Sequence, residues 1–307
     1  MVAGLLCDRG HEVEVLDLVF EEEWWQKLPK DAPDILLLSC HTLRNIPCCV
    51  RVLDRLTAKW KKQPHTVLGG NVCLKVGADE FRRFWNLPAD AVVRGFDHGS
   101  DILDAIEKKR TGDIHPSAEI LAAEDMPLPA PDLLPRHVRY HYRMASQETY
   151  PIYGFSCGGC HWYRECGETY CEADMDSNWI PRPRVPSAEL ELAERYGYHK
   201  IWCVDNLISV DQKATVQFDR AVAKLGMTWS GMTRVELVCK LPTGFIERLA
   251  ALIDVAMGVE AVSDDLLQTI NRSTTRHKIL TAFRRVRETG KSATAFVILG
   301  IMVNLLG

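Results

Sequence analysis

Tyr150-Pro-Ile-Tyr-Gly-Phe-Ser-Cys-Gly-Gly-Cys-His-Trp-Tyr-Arg-Glu-Cys-Gly-Glu-Thr-Tyr-Cys171 is the stretch around which the remaining sequence is organised. An apolar run, Ile152 to Phe155, leads as a strand into a loop that holds Cys157, Cys160, Cys166 and Cys171. Four thiols within fifteen residues, on glycine-rich backbone, are metal-site chemistry. Soft thiolates at such spacing select zinc or an iron–sulfur cluster. A disulfide pair or reactive surface thiols are the competing readings, and the intracellular character of the rest of the chain weighs against both. Between a structural zinc knot and an iron–sulfur cluster the loop by itself does not choose.

The totals narrow the class. A chain of 307 residues with 47% hydrophobic and 25% charged residues is an ordinary globular composition with room for two domains. A formal net charge of −4 argues against a nucleic-acid-binding surface. No apolar run reaches the roughly 18 residues of a membrane helix; the nearest, Ala293–Gly307, is broken by Asn304. With no signal-peptide pattern, the eleven cysteines read as cytoplasmic thiols plus one metal site. Cys7, Cys40, Cys48, Cys49, Cys73 and Cys239 are scattered, as small buried hydrophobes are.

Upstream of the loop, strand and helix patterns alternate. Val13–Phe20 reads as a strand after the Gly10-His11 turn, and the continuous apolar run Asp34–Ser39 as a strand buried on both faces of a parallel sheet. Helices are expected within Ile46–Lys62, around Glu80–Trp85 and over Ser100–Lys109, and further strands at Thr66–Leu68 and Ala91–Arg94. Strands joined by helices imply right-handed crossovers and a doubly wound sheet, whose ligand lies beyond the carboxyl ends of the strands. Those ends are Ser39-Cys40-His41-Thr42, Gly69-Gly70-Asn71 and Gly95-Phe96-Asp97-His98. The order GLLCDRGHEVEVLDL, PDILLLSCHT, VLGGN and DAVVRG resembles the cobalamin-binding domain that precedes many radical S-adenosylmethionine (SAM) enzymes. The resemblance implies cobalamin held near Ser39, Thr42, Gly69, Gly70 and Gly95 by a domain over residues 1–112. The Asp-x-His-x-x-Gly motif for a cobalt ligand is absent, and the family's first strand would precede the helix in which this sequence opens. Residues 113–145, with five prolines between Pro116 and Pro135, read as an extended linker.

Downstream, Ser187 is placed to cap a helix that Gly197 ends. His199–Val204 is a strand ending in Asp205, and Asp211 opens a helix closed by Gly226. Met227–Ser230 is a short strand leading to Arg234, followed by a helix from Thr243 to Leu252. Ile253–Val259 is a strand ending in Glu260; helices over Ser263–Ile270 and Thr275–Thr289 precede a last strand, Ala293–Ile301. Counted from Tyr150, the strands run in one direction, the pattern of a βα barrel, with polar residues recurring at the carboxyl rim where barrel chemistry occurs.

The order cysteine loop, YGYHKIWCVDN, R-x-E, GVEAVSDDLLQTINR and a final apolar strand resembles the radical SAM barrel across residues 146–307. The architecture expected is therefore α/β: a Rossmann-like, cobalamin-binding-type sheet followed by a partial TIM-like barrel, incomplete at its carboxyl end, so that the chain reads as a fragment or shortened product. The resemblance implies a [4Fe–4S] cluster held by three cysteines, which cleaves SAM reductively to a 5′-deoxyadenosyl radical. It implies SAM contacts at Gly258 and Glu260, with Arg234, Glu236 and Asp205 also lining that cavity. The family's C-x3-C-x2-C spacing is not met, the gaps here being two, five and four residues. Aligned on His161-Trp162, the ligands are Cys160, Cys166 and Cys171 with Cys157 spare, and a set using Cys157 is nearly as good. The function implied is a cobalamin-dependent radical SAM enzyme, of methyl-transfer type or a related radical reaction, acting on a small molecule or peptide with an external flavodoxin or ferredoxin as electron donor. A B12-independent radical SAM enzyme and a non-catalytic zinc-binding protein on the same scaffold are the alternatives.

Overall fold

The structure, a computed structural model, describes residues 2–16, 24–26, 28–94, 100–115, 128, 130–133, 149–152, 185–205 and 207–299. The chain divides into two compact units, Met1–Pro135 and Arg136–Gly307. The cysteine loop and Gly95 lie outside the described residues.

The first unit carries a four-stranded parallel sheet, β1 (Ile35–Ser39), β2 (His65–Gly69), β3 (Ala91–Val93) and β4 (Gly112–Ile114), in chain order. Helices α1 (Val2–Asp8), α2 (Ile46–Lys59), α3 (Ala78–Trp85) and α4 (Ser100–Glu107) accompany it. The amphipathic pattern of α2 turns Val52, Leu53 and Leu56 inward, where they join Phe81 of α3 and Leu68 of β2 in one core. Three expectations change. Gly112–Ile114, within the stretch read as domain end and linker, is a strand paired with β3. Residues 13–16 of the strand expected at Val13–Phe20 carry no regular structure, and 17–20 lie outside the described residues. β1 is not buried on both faces: Leu37 is 38% exposed, because β1 is the edge of the described sheet while β2 and β3 are interior to it.

The second unit holds a five-stranded parallel sheet, β5 (Tyr150–Ile152), β6 (Lys200–Cys203), β7 (Thr228–Arg234), β8 (Leu252–Glu260) and β9 (Ser292–Val297), again in chain order and open among the described residues. Its helices are α5 (Ser187–Arg195), α6 (Gln212–Lys224), α7 (Val235–Lys240), α8 (Asp264–Thr269) and α9 (Arg276–Arg287). Asp211, Ser263 and Thr275, read from sequence as the residues that open three helices, cap α6, α8 and α9 through their side-chain oxygens. Ser187 is instead the first residue of α5, with Pro186 before it.

Two corrections fall around β7. The strand runs past Ser230 to Arg234 because Gly231 lets β7 approach its neighbours: a Cβ there would lie 2.6 Å from Ile208 Cγ2 and 3.3 Å from Cys203 Cβ. The helix expected from Thr243 to Leu252 is a run of turns, with Gly244 in the left-handed region (φ 73°) where a helix would begin. The helix of that crossover is α7, immediately after Arg234.

One face of this sheet, carrying Ile201, Trp229, Val255, Met257 and Val259, packs on the helices in a single core. Phe218 of α6 meets Trp229 edge to face, ring centroids 5.1 Å apart. Asp219, 3% exposed, closes that core at the amino end of β8. Its Oδ1 accepts the Trp229 indole N–H at 2.8 Å and the backbone N–H groups of Ala251 and Leu252 at 3.0 and 3.1 Å. Asp219→Ala leaves three buried donors without that acceptor, each costing about 1–3 kcal/mol. A loss of about 3–5 kcal/mol is expected, read as a fall in the urea midpoint at unchanged slope. Asp219→Asn, which keeps an acceptor oxygen, should lose less than half as much.

Candidate functional site

Side chains alternate across a strand, so the registers of β7, β8 and β9 define the second face of the sheet. Ser230, Met232 and Arg234 on β7 stand opposite Asp254, Ala256 and Gly258 on β8, and these opposite Ser292, Thr294 and Phe296 on β9. Parallel sheets are ordinarily apolar on both faces. This face instead sets Ser230, Arg234, Asp254, Ser292 and Thr294 among Met232, Ala256, Gly258 and Phe296. Near its amino end the Thr294 hydroxyl contacts both Asp254 carboxylate oxygens, at 3.1 and 3.2 Å. Burial pushes the Asp254 carboxyl above the usual range, against the lowering effect of that hydroxyl.

At the carboxyl rim the polar groups condense into two linked pairs. Arg234 Nε lies 3.3 Å from Glu236 Oε2, with side-chain exposures of 7% and 12%. Ser273 links the two, 3.5 Å from Arg234 Nη2 and donating to Glu236 Oε1 at 3.3 Å. Arg272 Nη2 donates to the Gly258 carbonyl at 2.9 Å and lies 3.6 Å from Glu260 Oε1. Burial pushes the Glu236 carboxyl up, but Arg234 and Arg272 together with hydrogen bonds hold it below its ordinary value of 4.5. A carboxyl depressed in the folded state stabilises the protein above its unfolded pKa, and that stability is lost as pH falls through the folded value. Unfolding free energy should therefore drop on acidification below about pH 4.5, and Glu236→Gln should flatten that limb in denaturant titrations at stepped pH.

Of the residues expected to line a SAM cavity, Arg234, Gly258 and Glu260 lie together at the ends of β7 and β8. Asp205, after β6, is 1% exposed and accepts a hydrogen bond from the Cys203 thiol at 3.1 Å. The expected site at Cys157, Cys160, Cys166 and Cys171 lies outside the described residues, and among the described residues no group of three or more His, Cys, Asp or Glu is placed to hold a metal. Sequence reasoning assigned no role to Arg272 or Ser273. The signal was weak: eleven residues, a helix among them, separate Arg272 from Glu260, and no periodicity joins them.

In the first unit the expected ligand edge is assembled from the ends of β1 and β2. The Cys40 N–H donates to the Gly69 carbonyl at 2.7 Å, and the Val72 N–H to the Cys40 carbonyl at 3.3 Å, which ties the two strand ends together. Thr42 and Asn45 bracket the turn into α2: the Thr42 N–H and hydroxyl both reach Asn45 Oδ1 at 2.9 Å. The two glycines differ. Gly70 has φ 108°, and a Cβ there would meet the Cys40 carbonyl oxygen at 2.5 Å; a Cβ on Gly69 would meet nothing within 4 Å among the described residues. Gly70 is thus a glycine for chain–chain approach, and Gly69 is not.

Two parallel sheets, each with loops and polar groups gathered at its carboxyl ends, define a comparison. Among solved structures, the cobalamin-dependent S-adenosylmethionine radical enzyme OxsB with aqua-cobalamin bound matches with a TM-score of 0.65 at 14% identity, over 87% of this chain and 41% of that one. The radical SAM methyltransferase TsrM from Kitasatospora setae, with tryptophan substrate and the SAM analogue aza-SAM bound, matches with a TM-score of 0.64 at 14% identity, over 94% of this chain and 62% of that one. This chain shares the fold of cobalamin-dependent radical SAM enzymes. OxsB with both aqua-cobalamin and SAM bound matches similarly, with a TM-score of 0.62 at 15% identity over 87% of this chain. The chain spans less than two thirds of the length of OxsB and of TsrM. No family model and no curated protein sequence matches it. Among the described residues, no helix of this radical SAM fold is long and apolar enough to cross a membrane.

Proposed function

We propose that the protein is a cobalamin-dependent radical SAM enzyme of methyl-transfer type. The observation that carries the reading is the second face of β7–β9, where Ser230, Asp254, Ser292 and Thr294 stand among Met232, Ala256 and Phe296 and which ends in the Arg234–Glu236 and Arg272–Glu260 pairs. Glu260 and the Gly258 backbone would hold SAM at this rim, with Arg234 fixing the β7 side. The absence of a side chain at Gly258 makes room for the Glu260 carboxylate: a Cβ would lie 2.6 Å from Glu260 Oε1. Cys160, Cys166 and Cys171, following β5, would hold a [4Fe–4S] cluster, with Cys157 the alternative ligand. When bound, the cluster supplies the electron for SAM cleavage, drawn from a flavodoxin or ferredoxin in the cytoplasm.

The edge formed by Ser39, Thr42, Gly69 and Gly70, continued in sequence by Gly95, would cradle cobalamin, with Gly69, where a Cβ would meet no described atom within 4 Å, beneath it. We propose that the first domain, expected to end at 112, runs through β4 to Ile114, and that the proline-rich stretch after it links to a second domain over 146–307. The substrate is a small molecule or peptide. The test is anaerobic reconstitution of the 307-residue chain with iron, sulfide and hydroxocobalamin, followed by incubation with SAM and a low-potential reductant. About four irons per chain, bound corrin absorption and 5′-deoxyadenosine are expected. Iron and 5′-deoxyadenosine without corrin would favour the B12-independent alternative, and zinc without iron the non-catalytic one.

A further inference from the structure

Four non-glycine residues with positive φ stand out among the described residues: Asn86, Lys109, Glu260 and Asn271. Asn86, Lys109 and Asn271 each lie one or two residues beyond the end of a helix, α3, α4 or α8, where a left-handed residue is the common way to stop. Glu260, at φ 63°, instead ends a strand, beside the register shift between β8 and β9. A long side chain in this region is strained, and such a residue persists only where its surroundings hold it.

The group that holds it is Arg272. Its side chain is 4% exposed, and Nη2 reaches both the Gly258 carbonyl at 2.9 Å and Glu260 Oε1 at 3.6 Å. A Cβ on Gly258 would stand 2.6 Å from Glu260 Oε1 and 3.0 Å from Arg272 Nη2, so carboxylate and guanidinium meet across that glycine. The loop bearing Arg272 is itself anchored, its N–H donating to the Leu267 carbonyl at 2.7 Å. The left-handed turn at Glu260 in turn presents its carbonyl to the Ile298 N–H at 2.9 Å, which joins the end of β8 to the chain leaving β9.

We propose that Arg272 is a positioning residue, which clamps Glu260 and the Gly258 carbonyl in the left-handed turn that presents the Glu260 carboxylate to a donor group of SAM. The proposal rests on the reading of this rim as the SAM surface. A planar guanidinium can span a carbonyl and a carboxylate at once; an ammonium is a point charge on a flexible stem. Arg272→Lys should therefore be only a partial substitute, and Arg272→Gln none.

The test combines two readouts on the reconstituted chain. Calorimetric titration with SAM is expected to show affinity at least 10-fold weaker in Arg272→Gln and intermediate in Arg272→Lys. Amide hydrogen exchange is expected to be at least 10-fold faster at Ile298 in Arg272→Gln, with exchange in β6 unchanged. Glu260→Gly removes both the carboxylate and the strained side chain, so adding Arg272→Gln to it should weaken SAM binding no further. Equal losses of affinity from Arg272→Gln with and without Glu260→Gly would overturn the proposal, as would wild-type Ile298 exchange in both Arg272 variants. Faster Ile298 exchange in the variants together with a wild-type chain that binds no SAM would support the clamp and overturn the SAM reading of the rim.

Discussion

Cys166→Ala and Cys171→Ala proteins, reconstituted without oxygen, are expected to be colourless and to release no 5′-deoxyadenosine, whereas Cys239→Ala remains brown and active. Removing one of the three thiolates that hold such a cluster is expected to take iron from about four per chain to near zero. Cys239 differs in kind. Its thiol, half-buried beside α9, reaches the Lys278 carbonyl at 3.4 Å, and burial raises its pKa, which keeps it a protonated thiol. The single variants Cys157→Ala and Cys160→Ala then choose between the two ligand sets: with Cys160, Cys166 and Cys171 as ligands, Cys157→Ala keeps its iron and Cys160→Ala loses it. Stoichiometric zinc without iron in the wild-type protein would sink the radical SAM reading.

The second large effect separates Gly69 from Gly70. Gly70→Ala places a Cβ 2.5 Å from the Cys40 carbonyl oxygen and 2.8 Å from its carbonyl carbon, both backbone atoms that cannot swing aside. It also forces an L-residue to φ 108°, a region almost confined to glycine. A loss of about 3 kcal/mol or more is expected, a large part of a net stability of roughly 5–15 kcal/mol. A Cβ at Gly69 would meet no described atom within 4 Å, and Gly69→Trp is expected to leave the thermal midpoint within a few degrees of wild type. Cobalamin binding should nevertheless weaken at least 100-fold, because the indole occupies the space proposed for the corrin. Spectral titration with hydroxocobalamin and a thermal melt of each variant check both. A Gly69→Trp chain that binds like wild type would show that the corrin does not lie over β2.

What the sequence determined by itself is local. The helices that begin at or just after Asp211, Ser263 and Thr275, the glycines that end α5 and α6, and the alternation of strands with crossover helices follow from spacing and from side chains acting on their own backbone. The meeting of Arg234, Gly258 and Glu260 at one rim was also legible, because every strand of such a sheet ends on the same side. The misses were tertiary. The Thr243–Leu252 stretch has helical composition, yet Gly244 adopts a left-handed conformation and the crossover helix forms at Val235–Lys240. The apolar β1 run gave no hint that it would sit at the edge of the described sheet, with Leu37 38% exposed, since hydrophobicity does not encode strand order. The different duties of Gly69 and Gly70 appear only once Cys40 is brought beside them, across about thirty residues of chain. The Arg272–Glu260 clamp likewise depends on a buried guanidinium returning over the end of β8, a contact set by packing between distant segments that no local pattern records.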